Sequence, residues 1–186
     1  MVCIRAFDVV ETYNSIRRGV LPGTRMSPGA LDPFNAQLGN VADWLDAIYT
    51  NIIGAEFVAM HGYVRGPDSS LVLSKDKFQD APLQWQSLNY VGCVLDLAEY
   101  LPAQYKELPI YVTEFNHIWL NTEADGKCGW VKDQRAGEVI AAAYGVALAN
   151  KFGGLAIYRW MSDDWAVFNN DSVLNTVKSL IEETYQ

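Results

Sequence analysis

The chain has 186 residues, half of them apolar, and its 14 lysines and arginines against 22 aspartates and glutamates leave a net charge of −8. That is length enough for one domain with its own core, and the charge repels phosphate backbones and anionic lipid surfaces, so neither nucleic acid nor a membrane is an expected partner. Three cysteines (Cys3, Cys93, Cys128) form no CxxC pair and two histidines are too few for a zinc centre, so no metal, cofactor or disulfide framework is indicated.

Arg5 and Asp8 interrupt the start of the chain, and no leader or membrane-length apolar run is present, so the expectation is a cytoplasmic single domain over residues 1–186. Residues 5–18 carry Ala6, Val9, Val10, Tyr13 and Ile16 at helical spacing and predict an amphipathic helix stopping before Gly19. The stretch Ser27-Pro-Gly-Ala-Leu-Asp-Pro-Phe-Asn35 allows a short strand. Residues 40–53 place Val41, Trp44, Leu45, Ile48 and Ile52 on one stripe of a second helix, closed by Gly54. Residues 56–63 form a nearly continuous apolar run, as a parallel strand covered on both faces requires.

A third helix is expected over residues 84–100, before Pro102. Pro109-Ile-Tyr-Val-Thr-Glu-Phe115 is a strand rich in β-branched and aromatic residues. The alanine-rich stretch 134–150 reads as a helix packed closely on a sheet, residues 154–160 as the last strand, and 171–184 as the last helix, with Asp171 and Ser172 as cap candidates. The order α, β, α, β, α, β, α, β, α demands crossovers of one hand and a parallel sheet, either doubly wound or of the (β/α)8 kind. No glycine-rich phosphate loop follows any strand, which weakens the nucleotide-binding version of the open sheet.

In such folds working groups collect at the carboxyl ends of the strands. The candidates there are Asp32 and Asn35, then His61 and Tyr63, then Glu114, Asn116 and His117, then Tyr158, Arg159 and Trp160. A strict two-residue period puts Ile110, Val112 and Glu114 on one face, and Phe57, Ala59, His61 and Tyr63 on another. A carboxylate ending a buried strand is costly unless paired or opened to a cleft, which marks Glu114 as a working acid, although a solvated loop glutamate has the same position. Glu56 opens its strand at the opposite end and reads as structural.

PIYVTEFNHIW and GLAIYRW together resemble the seventh and eighth strands of clan A glycoside hydrolases, EFVAMHGY resembles their sixth and SPGALDPFN their fifth. The resemblance covers the chain in order but only half of that family's TIM barrel. It implies an α/β fold of four βα units, a retaining β-glycoside hydrolase with Glu114 as nucleophile, and an oligo- or disaccharide substrate contacted by Asn35, His61, Tyr63, Asn116 and Trp160. The family's acid/base is a Glu following Asn, and no Asn-Glu pair occurs here. A homodimer completing eight strands is therefore expected, with Asp163 or Asp164 of the partner as substitute acid. The rival reading is a catalytically silent half barrel, or a saccharide-binding module of a larger glycosidase.

Overall fold

The structure is a computed structural model that describes residues 5–31, 41–64, 68–75, 91–117, 135–158, 167–168 and 170–184. The elements follow the expected alternation: α1 (Ala6–Gly19), β1 (Ala30–Leu31), α2 (Val41–Asn51), β2 (Val58–Val64), α3 (Cys93–Ala98), β3 (Ile110–His117), α4 (Ala136–Ala149), β4 (Gly154–Ile157) and α5 (Asp171–Thr184). Single 3-10 turns at Ser69–Val72 and Ala103–Tyr105 flank α3. The helix expected over 84–100 is described only as the short α3, its earlier part lying outside the described residues. Among the described residues no helix is long and apolar enough to cross a membrane.

All four strands are parallel and their spatial order is β1-β2-β3-β4. Every crossover therefore steps in the same direction, and with the single hand that such connections obey, every helix falls on the same face of the sheet. A doubly wound sheet reverses direction partway, which this order does not do. The fold is α/β, with four successive βα units arranged as in half of a (β/α)8 barrel.

The core confirms the one-sided arrangement. Val58, Met60 and Val64 of β2 and Val112 and Phe115 of β3 form one apolar cluster with Leu45 and Ile48 of α2, Val94 and Leu97 of α3, and Val139, Ile140 and Ala143 of α4. Met60, Val64 and Phe115 are wholly buried there. Ala59 and Tyr63, on the other face of β2, are buried but stand outside this cluster. Side chains toward the helices thus carry the packing, and the inner face is left for chemistry.

Local contacts fix the flanks. At the start of α1, Asp8 accepts from the Arg5 backbone nitrogen at 3.1 Å and from its guanidinium at 2.7 Å. The Arg5 hydrogen bonds hold the Asp8 carboxyl below its ordinary range. Tyr13 donates to the Gly54 carbonyl at 2.5 Å, and Asn14 exchanges hydrogen bonds with Asn51 and Ile53 just past α2. Gly54, at φ +66°, supplies the left-handed turn after that helix. The last helix is capped by a residue that sequence inspection passed over. Asn170 accepts from the Val173 backbone nitrogen at 3.1 Å, whereas Ser172, one of the two expected caps, accepts from Gly137 at 3.1 Å and ties α5 to α4.

At the amino ends of β2 and β3 the inner face carries stacked side chains. The rings of Phe57 and Tyr111 meet edge-on at 5.2 Å, and the Arg25 guanidinium lies 5.8 Å and 5.9 Å from their centroids. Tyr111 in turn packs on Gly153 and Gly154, where an added Cβ would come within 2.4 Å and 3.1 Å of its ring. Glu56 is structural, as expected, pairing with Arg17 and accepting from the Met26 backbone nitrogen at 2.9 Å.

Candidate active site

The register of β2 against β3 decides where Glu114 points. Val58, Ala59 and Met60 pair with Ile110, Tyr111 and Val112, but His61 pairs with Glu114, so Thr113 is an extra residue in β3. This bulge corrects the two-residue expectation: Glu114 shares a face with Tyr111 and Asn116, not with Ile110 and Val112. Without it, the carboxylate would enter the helix-facing core beside Val112, which is 1% exposed. Thr113 is itself exposed, and its hydroxyl reaches back to the Met60 carbonyl at 3.4 Å.

The bulge brings three polar groups together on the inner face at the carboxyl end of the sheet. The Tyr63 hydroxyl donates to Glu114 Oε2 at 2.5 Å, and His61 Nδ1 lies 3.6 Å from the same oxygen. The imidazole and the phenol are also 3.5 Å apart, with their rings at 83°. The Glu114 side chain retains 32% exposure and that of His61 18%. Oε1 of Glu114 accepts no hydrogen bond among the described residues.

A phenol donating to one carboxylate oxygen orients the group and leaves its other oxygen for a ligand. That arrangement suits a carboxylate that attacks, or that stabilises positive charge developing on a bound molecule. Asn116, two residues on, is buried and donates to the Tyr158 carbonyl at 3.5 Å, tying the end of β3 to the end of β4. Its Oδ1 accepts no hydrogen bond among the described residues.

Of the residues singled out in the sequence, Glu114, His61, Tyr63 and Asn116 therefore meet on one face. Asn35, Trp160, Asp163 and Asp164 lie outside the described residues. Among the described residues no second carboxylate joins Glu114, since Glu56 is engaged at the opposite end of the strands. Three or more metal-ligating side chains are nowhere clustered among the described residues. Sequence inspection missed the Arg25 stack and the Thr113 bulge. Arg25 and Phe57 are separated in the chain by β1 and α2, which leaves no sequence signal for the first, and a threonine within a β-branched run gives none for the second.

The fold and these groups define an α/β protein of consecutive parallel units with a carboxylate, a phenol and an imidazole at the carboxyl end of the sheet. No family model matches the chain, and no curated protein matches it significantly. Among solved structures it is similar to an α-L-arabinofuranosidase from Thermotoga maritima, at 16% identity and TM-score 0.44, over 82% of this chain and 29% of that one. It is also similar to a GH1 β-glucosidase from Exiguobacterium antarcticum B7, at 17% identity and TM-score 0.43, over 77% of this chain and 38% of that one. The chain spans about a third of the length of these two proteins. With scores this low, the fold rests on the strand order and the one-sided core.

Proposed function

We propose that the chain carries the nucleophile side of a retaining β-glycoside hydrolase site, with Glu114 attacking the anomeric carbon of an oligo- or disaccharide. The single observation that carries this reading is the Tyr63 hydroxyl on Glu114 Oε2, with His61 beside it, on the face of the sheet turned away from the core. A nucleophilic carboxylate must be held in one orientation and must remain reachable. The phenol provides the first condition and the partial exposure of Glu114 the second. Asn35, His61, Tyr63, Asn116 and Trp160 would supply the polar and stacking contacts to the sugar.

A retaining mechanism also requires a carboxylic acid about 5–5.5 Å from the nucleophile to protonate the leaving oxygen. Asp163 or Asp164, from this chain or a partner copy, is proposed for that role. The second reading, a half barrel that binds saccharide without turnover, is favoured by one observation: among the described residues Glu114 has no carboxylate partner. Hydrolysis of an aryl β-glycoside separates the two. Turnover lost in Glu114→Ala and regained with azide, which substitutes for the missing nucleophile, supports the enzyme. Saccharide binding with no turnover in the unaltered protein supports the module.

A further inference from the structure

We propose that Thr113, the residue inserted by the bulge, is a specificity-determining residue of the site: its hydroxyl exchanges a hydrogen bond with one ring hydroxyl of the saccharide seated against Glu114. This rests on the reading of that site as a saccharide site, and the test separates the failure of one from the failure of the other.

Val112 and Phe115 both belong to the helix-facing core, and two residues of β3 lie between them. In an unbroken strand a single residue separates two side chains that face the same way. Thr113 and Glu114 therefore both turn to the inner face, from Cα atoms about 3.8 Å apart. Thr113 is exposed there, whereas Val112 and Phe115 are exposed by only 1% and 0%. The neighbouring strand leaves the spot open. Leu155 and Ile157 pair with Val112 and Phe115 and pack against the core, so Ala156 between them faces the same way as Thr113, and it too is exposed. A ligand lying against Glu114 thus meets a hydroxyl on its own strand and no more than a methyl on β4.

The hydrogen bonds already made give that hydroxyl its part. Tyr63 donates to Glu114 Oε2, and the Asn116 amide nitrogen donates to the Tyr158 carbonyl. What these pairs leave over on Glu114 and Asn116 can only accept: Oε1 and Oδ1, neither of which has a donor among the described residues. A sugar hydroxyl both donates and accepts, so acceptors alone satisfy half of it. The Thr113 hydroxyl can do both. Its partner among the described residues, the Met60 carbonyl, is 3.4 Å away, a long contact that a ligand can replace. A threonine present only for its fit to a pleated strand would be served as well by valine, so the hydroxyl is where the two accounts part.

The test takes the best substrate from a panel of nitrophenyl β-glycosides, together with its monodeoxy analogues. These are assayed on the parent, on Thr113→Val, which keeps the branched shape, and on Thr113→Ser, which keeps the hydroxyl. Expected is a fall in kcat/KM of about three- to tenfold in Thr113→Val, as for the loss of one neutral hydrogen bond, with near-parent values in Thr113→Ser. One monodeoxy analogue should lose the same factor on the parent and lose nothing further in Thr113→Val. The parent's loss on that analogue needs no variant, so it decides the matter even if Thr113→Val does not fold. Where Glu114→Ala abolishes turnover, the proposal alone is overturned if Thr113→Val matches the parent, falls equally on every analogue, or falls no further than Thr113→Ser, or if the parent loses nothing on any analogue. Where the parent shows no turnover, or Glu114→Ala keeps it, the nucleophile reading fails, and the same series is read as dissociation constants of the free saccharides by calorimetry. A loss in Thr113→Val that Thr113→Ser restores then upholds the contact, and a parent that binds no saccharide overturns both.

Discussion

Replacing Tyr63 by phenylalanine removes a single oxygen, the one that donates to Glu114 Oε2 at 2.5 Å. A hydrogen bond to a charged acceptor contributes about 1.5–3 kcal/mol when both partners are shielded. Tyr63 is 7% exposed, but the Glu114 side chain keeps 32% of its surface in water, which can replace part of the lost donor. The expected destabilisation is therefore about 1–2 kcal/mol. For a protein of this length that corresponds to a fall in Tm of roughly 2–8 °C. The assay is urea unfolding followed by tryptophan fluorescence at pH 7 for four proteins: the parent, Tyr63→Phe, Glu114→Ala, and the double variant. The two single changes should be non-additive by about 1 kcal/mol, since either removes the same contact. Strict additivity would mean that the two side chains do not meet in solution, and the orientation ascribed to the carboxylate would go with it.

Asn170→Ala should cost about 1 kcal/mol by releasing the Val173 nitrogen at the start of α5, measurable in the same unfolding assay. Gly153→Ala sets a methyl against the Tyr111 ring at 2.4 Å and should destabilise by about 1–3 kcal/mol, with the penalty absent in a Tyr111→Ala background. Burial of its α2 side chain pushes the Tyr49 hydroxyl up to about 12, from an ordinary value near 10. The unfolded chain therefore loses this proton first as pH rises, so stability present below pH 10 should drain away between about pH 10 and 12. Urea midpoints taken across that range should flatten in Tyr49→Phe.

The order of elements was legible because each strand is a short apolar run between helical stripes, a contrast of period that survives without any alignment. The boundaries of α5 match the expected 171–184 for this reason. The company of Glu114 with His61 and Tyr63 was legible, because they lie on neighbouring strands, but the expected strand end was not, since β3 runs on through Phe115 and Asn116 to His117 and β2 on to Val64. The face on which Glu114 projects was not. A period of two is blind to one inserted residue, and Thr113 has the composition of any strand residue, so only pairing with His61 reveals the step. The cap at Asn170 was readable in principle, since asparagine ahead of Asp-Ser is as good a candidate as either. Asp171 and Ser172 are the first two residues of the helix itself, and the cap is the residue before it.

The ring stack of Arg25, Phe57 and Tyr111 has a consequence for substitution. It joins three separate segments at the amino ends of β2 and β3, and Gly153 and Gly154 leave room beside β4 for the Tyr111 ring. Shortening any one of the three side chains removes contacts of the other two at the opposite end of the strands from Glu114, so this end of the sheet is open to alteration without touching the carboxylate or its phenol.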